Sequence, residues 1–408
     1  MKKDEPSNYI FESGPVGAIG EYASLMLRVN RNCPWNRCLF CPLYKKERFS
    51  TRSVEELKHD IDAVSRTFAL IMHAAGGCGI TIEALYEIVG RNPQIYGAIN
   101  VQPSPQQRMA RICLSRTANW ISYGARRVFL QDADALALKI PDLLEILVYL
   151  KLSFPAIDTI TCYARSKSCA RHSVEELTAL KKAGLAWCFI GVESGCDAVL
   201  DYMKKGVTRK EHIEAGNKLK LAGINVAAFV MPGLGGCRQS LAKTHIADTV
   251  YVLNEMQPKE IRIRSLAVLQ QAPLYQLWQA GEFIAPTEDS LVEEMRELLE
   301  GIKVQGTIET LQMTNPVISL HGPIGVKRKS ALKQLDKYQD LTPNERARFN
   351  LQRYCEGGYI RYAEECGYLS EELELLIEEA QAGVAADAPD APDLVEKALF
   401  ALKSTGIP

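Results

Sequence analysis

IDTITCYARSKSCARHSVEELTALKKAGLAWCFIGVESG, residues 157–195, decides the fold class. Ile157–Tyr163 is a short β-branched, apolar run that reads as a strand. Ser173–Ala183 is a helix closed by Gly184, and Trp187–Val192 is a second strand. Strand, helix and strand in this order form a crossover, which makes the two strands parallel.

The same alternation extends in both directions. Upstream lie the strand Arg127–Gln131 and the helix Pro141–Leu152; downstream lie the helices Cys196–Met203 and Thr208–Ala222, the strand Ile224–Met231, the helix Ser240–Met256 and the strand Ile261–Leu266. Further upstream, Ser24–Asn30 is a strand followed by a loop and by a helix with Ser53 as cap and Leu57, Ile61 and Val64 as its apolar stripe. Six strands alternating with helices predict a parallel sheet with right-handed crossovers, and chemistry at the strand C-termini. Residues 67–120 break the rhythm with the glycine-rich stretch Gly76-Gly77-Cys78-Gly79, a helical pattern from Ile82 to Val89 and loop signals around Pro93, Pro103 and Pro105. They read as an insertion, either a lid or substrate-binding element or passive packing, and a helix from Arg111 to Tyr123 leads on to the next strand. Residues 1–21 read as an arm, 22–299 as the catalytic core, and 300–408 as a mostly helical extension with a small, acidic linker at 382–393.

The strand that ends at Asn30 feeds NRNCPWNRCLFCPLYK, residues 30–45, which packs Cys33, Cys38 and Cys41 into one loop. Three thiolates so close suit a soft metal centre. A closed zinc site wants four protein ligands, whereas a [4Fe–4S] cluster on three cysteines leaves one iron for a small molecule. The other nine of the twelve cysteines form no second compact triad in sequence. With no apolar run of bilayer length and no signal-peptide pattern, a cytoplasmic protein without a membrane partner is expected. A net charge of −1 gives no basic field, so nucleic acid is disfavoured as a substrate.

The strand ends supply further polar groups. Asp132 and Asp134 follow the second strand, and Arg165 and Lys167 the third; Glu193 and Ser194 follow the fourth, and Met231 and Gly233 the fifth. The cysteine loop, with Phe40 directly before Cys41, resembles that of the radical S-adenosylmethionine (radical SAM) superfamily, whose usual pattern is CxxxCxΦC; here Cys33 and Cys38 stand one residue further apart. From Ile190 to Val207, with Gly-Val-Glu-Ser-Gly at its start and Lys205-Gly206 near its end, the chain resembles the branch holding oxygen-independent coproporphyrinogen oxidase, the Elongator catalytic subunit and methylthiotransferases.

The resemblance, in consistent order from about Leu25 to about Leu299, implies a partial (β/α)6 TIM-like barrel. It implies a [4Fe–4S] cluster on Cys33, Cys38 and Cys41, with SAM chelating the open iron. It further implies that Phe40, Asp132 and Asp134 (the latter in the acidic place of a GGE-like turn), Arg165 for the methionyl carboxylate with Lys167 second to it, Glu193 and Ser194 at the ribose, and Met231 and Gly233 at the adenine hold SAM. A ferredoxin or flavodoxin-type donor would supply the electron.

The expected function is oxygen-sensitive reductive cleavage of SAM to a 5′-deoxyadenosyl radical acting on a small molecule. Group transfer to a peptide or RNA is the alternative within the family, and an iron–sulfur electron carrier or redox sensor the alternative outside it. Cys237 is a candidate to quench or donate to a substrate radical, a packed thiol being its ordinary role.

Overall fold

β1 (Leu25–Arg28) shows the sheet's logic in four residues, because Leu25 and Leu27 are buried while Met26 and Arg28 are half-buried. The computed structural model describes residues 5–15, 17, 20–76, 79–237 and 239–406; Gly77 and Cys78 of the glycine-rich stretch lie outside these. The chain divides into two compact units.

Unit one holds residues 1–34, 46–189 and 218–225. β2 (Asn30–Arg31) and β3 (Ser50–Thr51) pair antiparallel, Asn30 opposite Thr51 and Arg31 opposite Ser50, and so pinch the base of the cysteine-bearing excursion. α1 (Val54–Ala75) opens with a capping box between Ser53 and Glu56 and buries Leu57, Ile61, Val64 and Ile71. It runs well into the segment expected to be an insertion. The rest of that segment is also largely helical: α2 (Ile82–Arg91), α3 (Pro93–Tyr96) and α4 (Pro105–Ser122). Pro93 and Pro105, which read as loop signals, stand in the first turn of their helices. There the missing N–H costs nothing and the fixed φ favours the helix. Tyr9, Ile71, Ile88, Ile95, Tyr96 and Leu114 close a small core between these helices and the N-terminal arm.

β4 (Arg127–Gln131) pairs parallel with β1, Leu25 opposite Val128 through Arg28 opposite Gln131. α5 (Ile140–Ser153) then leads to β5 (Thr159–Ala164), parallel to β4 from Arg127 opposite Thr159 to Leu130 opposite Cys162. After β5 comes a helix the sequence had not suggested, α6 (Ser166–Arg171), then α7 (Val174–Lys182) with a Ser173–Glu176 capping box. β6 (Leu185–Glu193) starts in this unit and ends in the other.

Unit two holds residues 35–45, 190–217 and 226–408. Its helices α8 (Asp197–Tyr202) and α9 (Arg209–Leu221) lead to β7 (Asn225–Val230), and α10 (Gln239–Met256) to β8 (Glu260–Ile263), with β7 and β8 parallel from Ala227 opposite Glu260 to Val230 opposite Ile263. α11 (Pro273–Gln279) and α12 (Glu288–Gly301) follow, then β9 (Thr307–Glu309), parallel to β8, and β10 (His321–Pro323), antiparallel to β9. These two short strands lie in the region expected to be helical. Three residues are too few for a period to show, and a proline is tolerated where β10 takes it, in a strand with a single partner.

The remaining helices are α13 (Ile324–Gln339), α14 (Pro343–Cys355), α15 (Gly358–Glu365), α16 (Glu371–Ala385) and α17 (Ala391–Ser404). The expected linker at 382–393 is mostly helix. Alanine-rich sequence extends α16, and Pro392 sits in the first turn of α17. Leu351, Tyr354, Ile377, Val395 and Leu399 form the core shared by α14, α16 and α17.

The fold is α/β with a mostly parallel sheet, as the alternation predicted. No helix among the described residues is long and apolar enough to cross a membrane.

Candidate functional site

In unit one the β1 and β4 ends meet on a charged network. Arg28 Nε lies 2.7 Å from Asp132 Oδ2, its Nη1 2.9 Å from Glu12 Oε1, and its Nη2 donates to Asn32 Oδ1 at 3.1 Å. Asn32, at φ +70°, begins the cysteine loop and directs its own N–H to the same Asp132 oxygen at 3.3 Å. Burial pushes the Glu12 carboxyl up, but the hydrogen bond from Arg31 and the charges of Arg52, Arg31 and Arg28 outweigh it and hold Glu12 below its ordinary value. The other Asp132 oxygen, Oδ1, is buried without a hydrogen-bond partner among the described residues.

Asp134 is fully buried and differently employed. Its carboxylate accepts from Ser168 Oγ at 2.5 Å and from Arg165 N at 3.3 Å, so it caps the N-terminal turn of α6. Burial pushes this carboxyl up to about 6. Its backbone carbonyl accepts from Asn30 Nδ2 at 2.6 Å, which ties β2 to the β4 end. Of the two aspartates, Asp132 therefore keeps an open acceptor. Arg165 is half-buried at the N-cap of α6, and Lys167 is exposed.

In unit two, residues 35–45 of the cysteine loop are anchored at several points. Leu39 N donates to Met203 O at 3.0 Å, Leu274 N to Leu39 O at 2.9 Å, and Trp35 Nε1 to Lys204 O at 2.6 Å. Trp35 lies against Gly206, where a Cβ would stand 2.2 Å from the indole and where φ is +67°, so glycine is required twice over. Asn36, within the longer stretch between the first two cysteines, takes a left-handed φ of +47°, and its side-chain amide reaches Tyr44 O. Lys45 Nζ donates to Cys38 O at 2.7 Å and Asn36 O at 3.2 Å. These contacts tie the stretch between the first two cysteines to Tyr44 and Lys45.

Phe40 and Glu193 are joined by a lysine. Lys205 Nζ stands 5.6 Å from the Phe40 ring centroid and 3.0 Å from Glu193 Oε1, and Glu193 itself sits at φ +61° at the end of β6. A cation over a ring face and against a carboxylate is attracted by both. Ser194 Oγ lies 2.8 Å from His245 Nδ1, and Gly233 N donates to Glu294 Oε2 at 2.5 Å. Met231 N donates to Glu193 O at 3.0 Å, which fixes the β6 and β7 ends together. Cys237 is held as a packed thiol, its Sγ donating to Ala285 O at 3.0 Å and its N–H to Ile284 O at 3.1 Å.

The donor set fits an iron–sulfur cluster in chemistry. Cys33, Cys38 and Cys41 are each partly exposed, and none of the described cysteines is in a disulfide. Cys33 counts with unit one and Cys38 and Cys41 with unit two, and among the described residues no three Cys, His, Asp or Glu side chains are gathered as a metal-holding group. Cys162, Cys169 and Cys188, far apart in sequence, do come together in unit one: the Cys162 and Cys188 sulfurs are 3.7 Å apart. All three are buried, and the thiols of Cys169 and Cys188 are held well above their ordinary value, first by hydrogen bonding within the trio and then by burial. The trio is packed inside unit one.

The sequence profile of the Radical SAM superfamily matches residues 107–241. Residues 107–241 are thus a radical SAM domain. The matched span holds Asp132, Asp134, Arg165, Glu193, Ser194, Met231 and Gly233, and the cysteine loop precedes it. A tRNA uridine(34) acetyltransferase of Methanocaldococcus jannaschii is 25% identical over 119 residues, 29% of this chain and 22% of that protein. The chain thus spans about a fifth of the length of that curated relative. Among solved structures, the archaeal Elp3 of Methanocaldococcus infernus with its N-terminus deleted is 18% identical at a TM-score of 0.38, covering 52% of this chain and 54% of that one. The radical SAM methyltransferase TsrM of Kitasatospora setae, with cobalamin and a [4Fe–4S] cluster bound, is 13% identical at a TM-score of 0.40, covering 66% and 44%.

The matched domain is that of the radical SAM enzyme class, whose cofactors are a [4Fe–4S] cluster and SAM. For this radical SAM enzyme, sequence reasoning passed over Arg28, Asn32, His245 and Glu294, all of which organise the strand ends. Lys205 was visible only as part of a motif. None of them follows a period or spacing, because each is defined by a partner far away in the chain.

Proposed function

We propose that this radical SAM enzyme binds its cluster through Cys33, Cys38 and Cys41 and holds SAM with Phe40, Asp132, Asp134, Arg165, Glu193, Ser194, Met231 and Gly233. When bound, the reduced cluster supplies the electron that splits SAM into methionine and a 5′-deoxyadenosyl radical, which takes a hydrogen atom from the substrate. The observation that carries this reading is the Phe40–Lys205–Glu193 link, which connects the residue beside the third cysteine to the acid at the β6 end. Lys205 orients the Glu193 carboxylate, which can accept hydrogen bonds from ribose hydroxyls. At the β4 end, Asp132 Oδ1 offers the acceptor for the SAM amino group, while the Asp134 carboxylate serves by shaping the turn. Arg165 supplies the fork for the methionyl carboxylate.

A ferredoxin or flavodoxin-type protein is the proposed reductant, and a small molecule the proposed substrate, because a net charge of −1 offers no field for a polyanion. Group transfer to RNA or a peptide is the second reading, favoured by the tRNA-modifying relative. The Glu193→Ala enzyme is expected to keep a full cluster by iron content and absorbance while its Kd for SAM rises about tenfold or more, the cost of a charge-assisted hydrogen-bond acceptor. Wild-type SAM affinity in that variant would remove Glu193 from the site.

A further inference from the structure

α10 lies directly on the end of β6. Gly195 N donates to Thr249 Oγ1 at 2.9 Å, and a Cβ on Gly195 would stand 2.2 Å from Asp248 O, so no side chain separates helix from loop. One turn earlier on the same face, His245 is almost wholly buried and uses both ring nitrogens. Its Nε2 lies 3.0 Å from Met231 O, and a carbonyl can only accept, so Nε2 carries the proton. Nδ1 is then the acceptor for Ser194 Oγ–H at 2.8 Å, and the same Ser194 oxygen accepts from Cys196 N at 3.0 Å. Burial pushes His245 down to about 4, which keeps this single neutral tautomer through the physiological range.

The β7 loop is also held by Glu294, whose Oε2 stands 3.9 Å from His245 Nε2. Glu294, in the middle of α12 and 6% exposed, accepts from Gly233 N at 2.5 Å. Gly233 itself takes φ +86°, with Leu291 and Pro286 so close that a Cβ would stand 2.7 Å from each. Burial pushes Glu294 up to about 8, so near neutrality it is a protonated carboxyl group and not a buried charge. Two side chains from two helices thus fix the loop after β6 and the loop after β7.

We infer that His245 and Glu294 are positioning residues for SAM: His245 locks Ser194 and the Met231 carbonyl in mutual register, and Glu294 locks the Gly233 turn. The inference rests on the reading of Glu193, Ser194, Met231 and Gly233 as SAM contacts. Neither residue touches SAM, and neither holds the cluster. Their loss loosens the ribose and adenine loops and leaves the cysteine ligands alone.

The test uses the full chain, reconstituted with iron and sulfide and reduced. It reads the SAM-induced change in the cluster's EPR signal and, without SAM, amide hydrogen exchange over 193–196 and 231–236. H245F and E294L are expected to keep cluster content, to raise the Kd for SAM about tenfold, equivalent to one lost buried hydrogen-bond partner, and to speed exchange in the loop each residue holds. E294Q keeps an acceptor for Gly233 N in the same neutral shape and stays within about twofold of wild type. Wild-type affinity and exchange in H245F or E294L would overturn the inference. If those two fail to fold, H245N decides, since it keeps the Ser194 link but not the reach to Met231: a few-fold rise in Kd supports the inference and an unchanged Kd overturns it. If the wild-type protein gives no SAM-dependent EPR change, the SAM reading of these loops falls and the inference falls with it.

Discussion

Cys38→Ala protein, reconstituted beside the wild type under anaerobic conditions, is expected to hold no stable [4Fe–4S] cluster. Its iron content should fall from about four atoms per chain to near background, with the sulfur-to-iron absorption lost. Cys38 sits in a loop whose backbone is committed elsewhere, with Lys45 on its carbonyl and Leu39 bonded to both Met203 and Leu274. The backbone of residue 38 therefore stays in place while the thiolate disappears. Among the described residues, Cys162, Cys169 and Cys188 are buried in their own trio, and Cys237 donates to Ala285 O. The same outcome is expected for Cys33→Ala and Cys41→Ala. A full cluster with wild-type spectra in the Cys38 variant would mean that this cysteine is not a ligand.

Lys403→Ala is expected to cost about 3–5 kcal/mol of stability, the usual penalty for stripping the partner from a buried charge. Lys403, 6% exposed on α17, is paired with Glu288 at the start of α12, donates to Thr314 O at 3.4 Å, and stands 4.2 Å from the Tyr354 ring centroid. The second Glu288 oxygen is buried with no hydrogen-bond partner among the described residues, and Glu288 N donates to Glu396 Oε1 at 3.0 Å. Burial, and then the charge of Glu288, pushes Glu396 up to about 7, so removing the lysine leaves two acidic groups close together without their cation. Denaturant unfolding should show the loss, and limited proteolysis should cut α17 first. Replacing both partners, Lys403→Met with Glu288→Met, should recover most of the stability. A Lys403→Ala midpoint equal to wild type would show that the pair does not fasten the C-terminal helices.

What the sequence disclosed was whatever repeats or recurs at fixed spacing. The six alternating strands, the Ser53 cap and the three clustered cysteines all carry their signal within a few residues. Within 67–120 the helical patterns Ile82–Val89 and Arg111–Tyr123 were legible, whereas α3 and the start of α4 were obscured by Pro93 and Pro105, which mark a helix start as readily as a loop. The strand-end acids were found in sequence, but not their different employment: only tertiary packing shows that Asp134 caps α6 while Asp132 Oδ1 stays open. Likewise nothing local announces that His245 faces Ser194, 51 residues away, or that Lys205 stands over Phe40.

The proposed reaction is cleavage of SAM at a cluster on the cysteine loop. Anaerobic reconstitution with iron and sulfide, reduction with dithionite, addition of SAM and quantification of 5′-deoxyadenosine test it most directly. The expected result is 5′-deoxyadenosine formed by the wild type and absent from the Cys38→Ala protein. An intact, reduced cluster that binds SAM and yields no 5′-deoxyadenosine would contradict it.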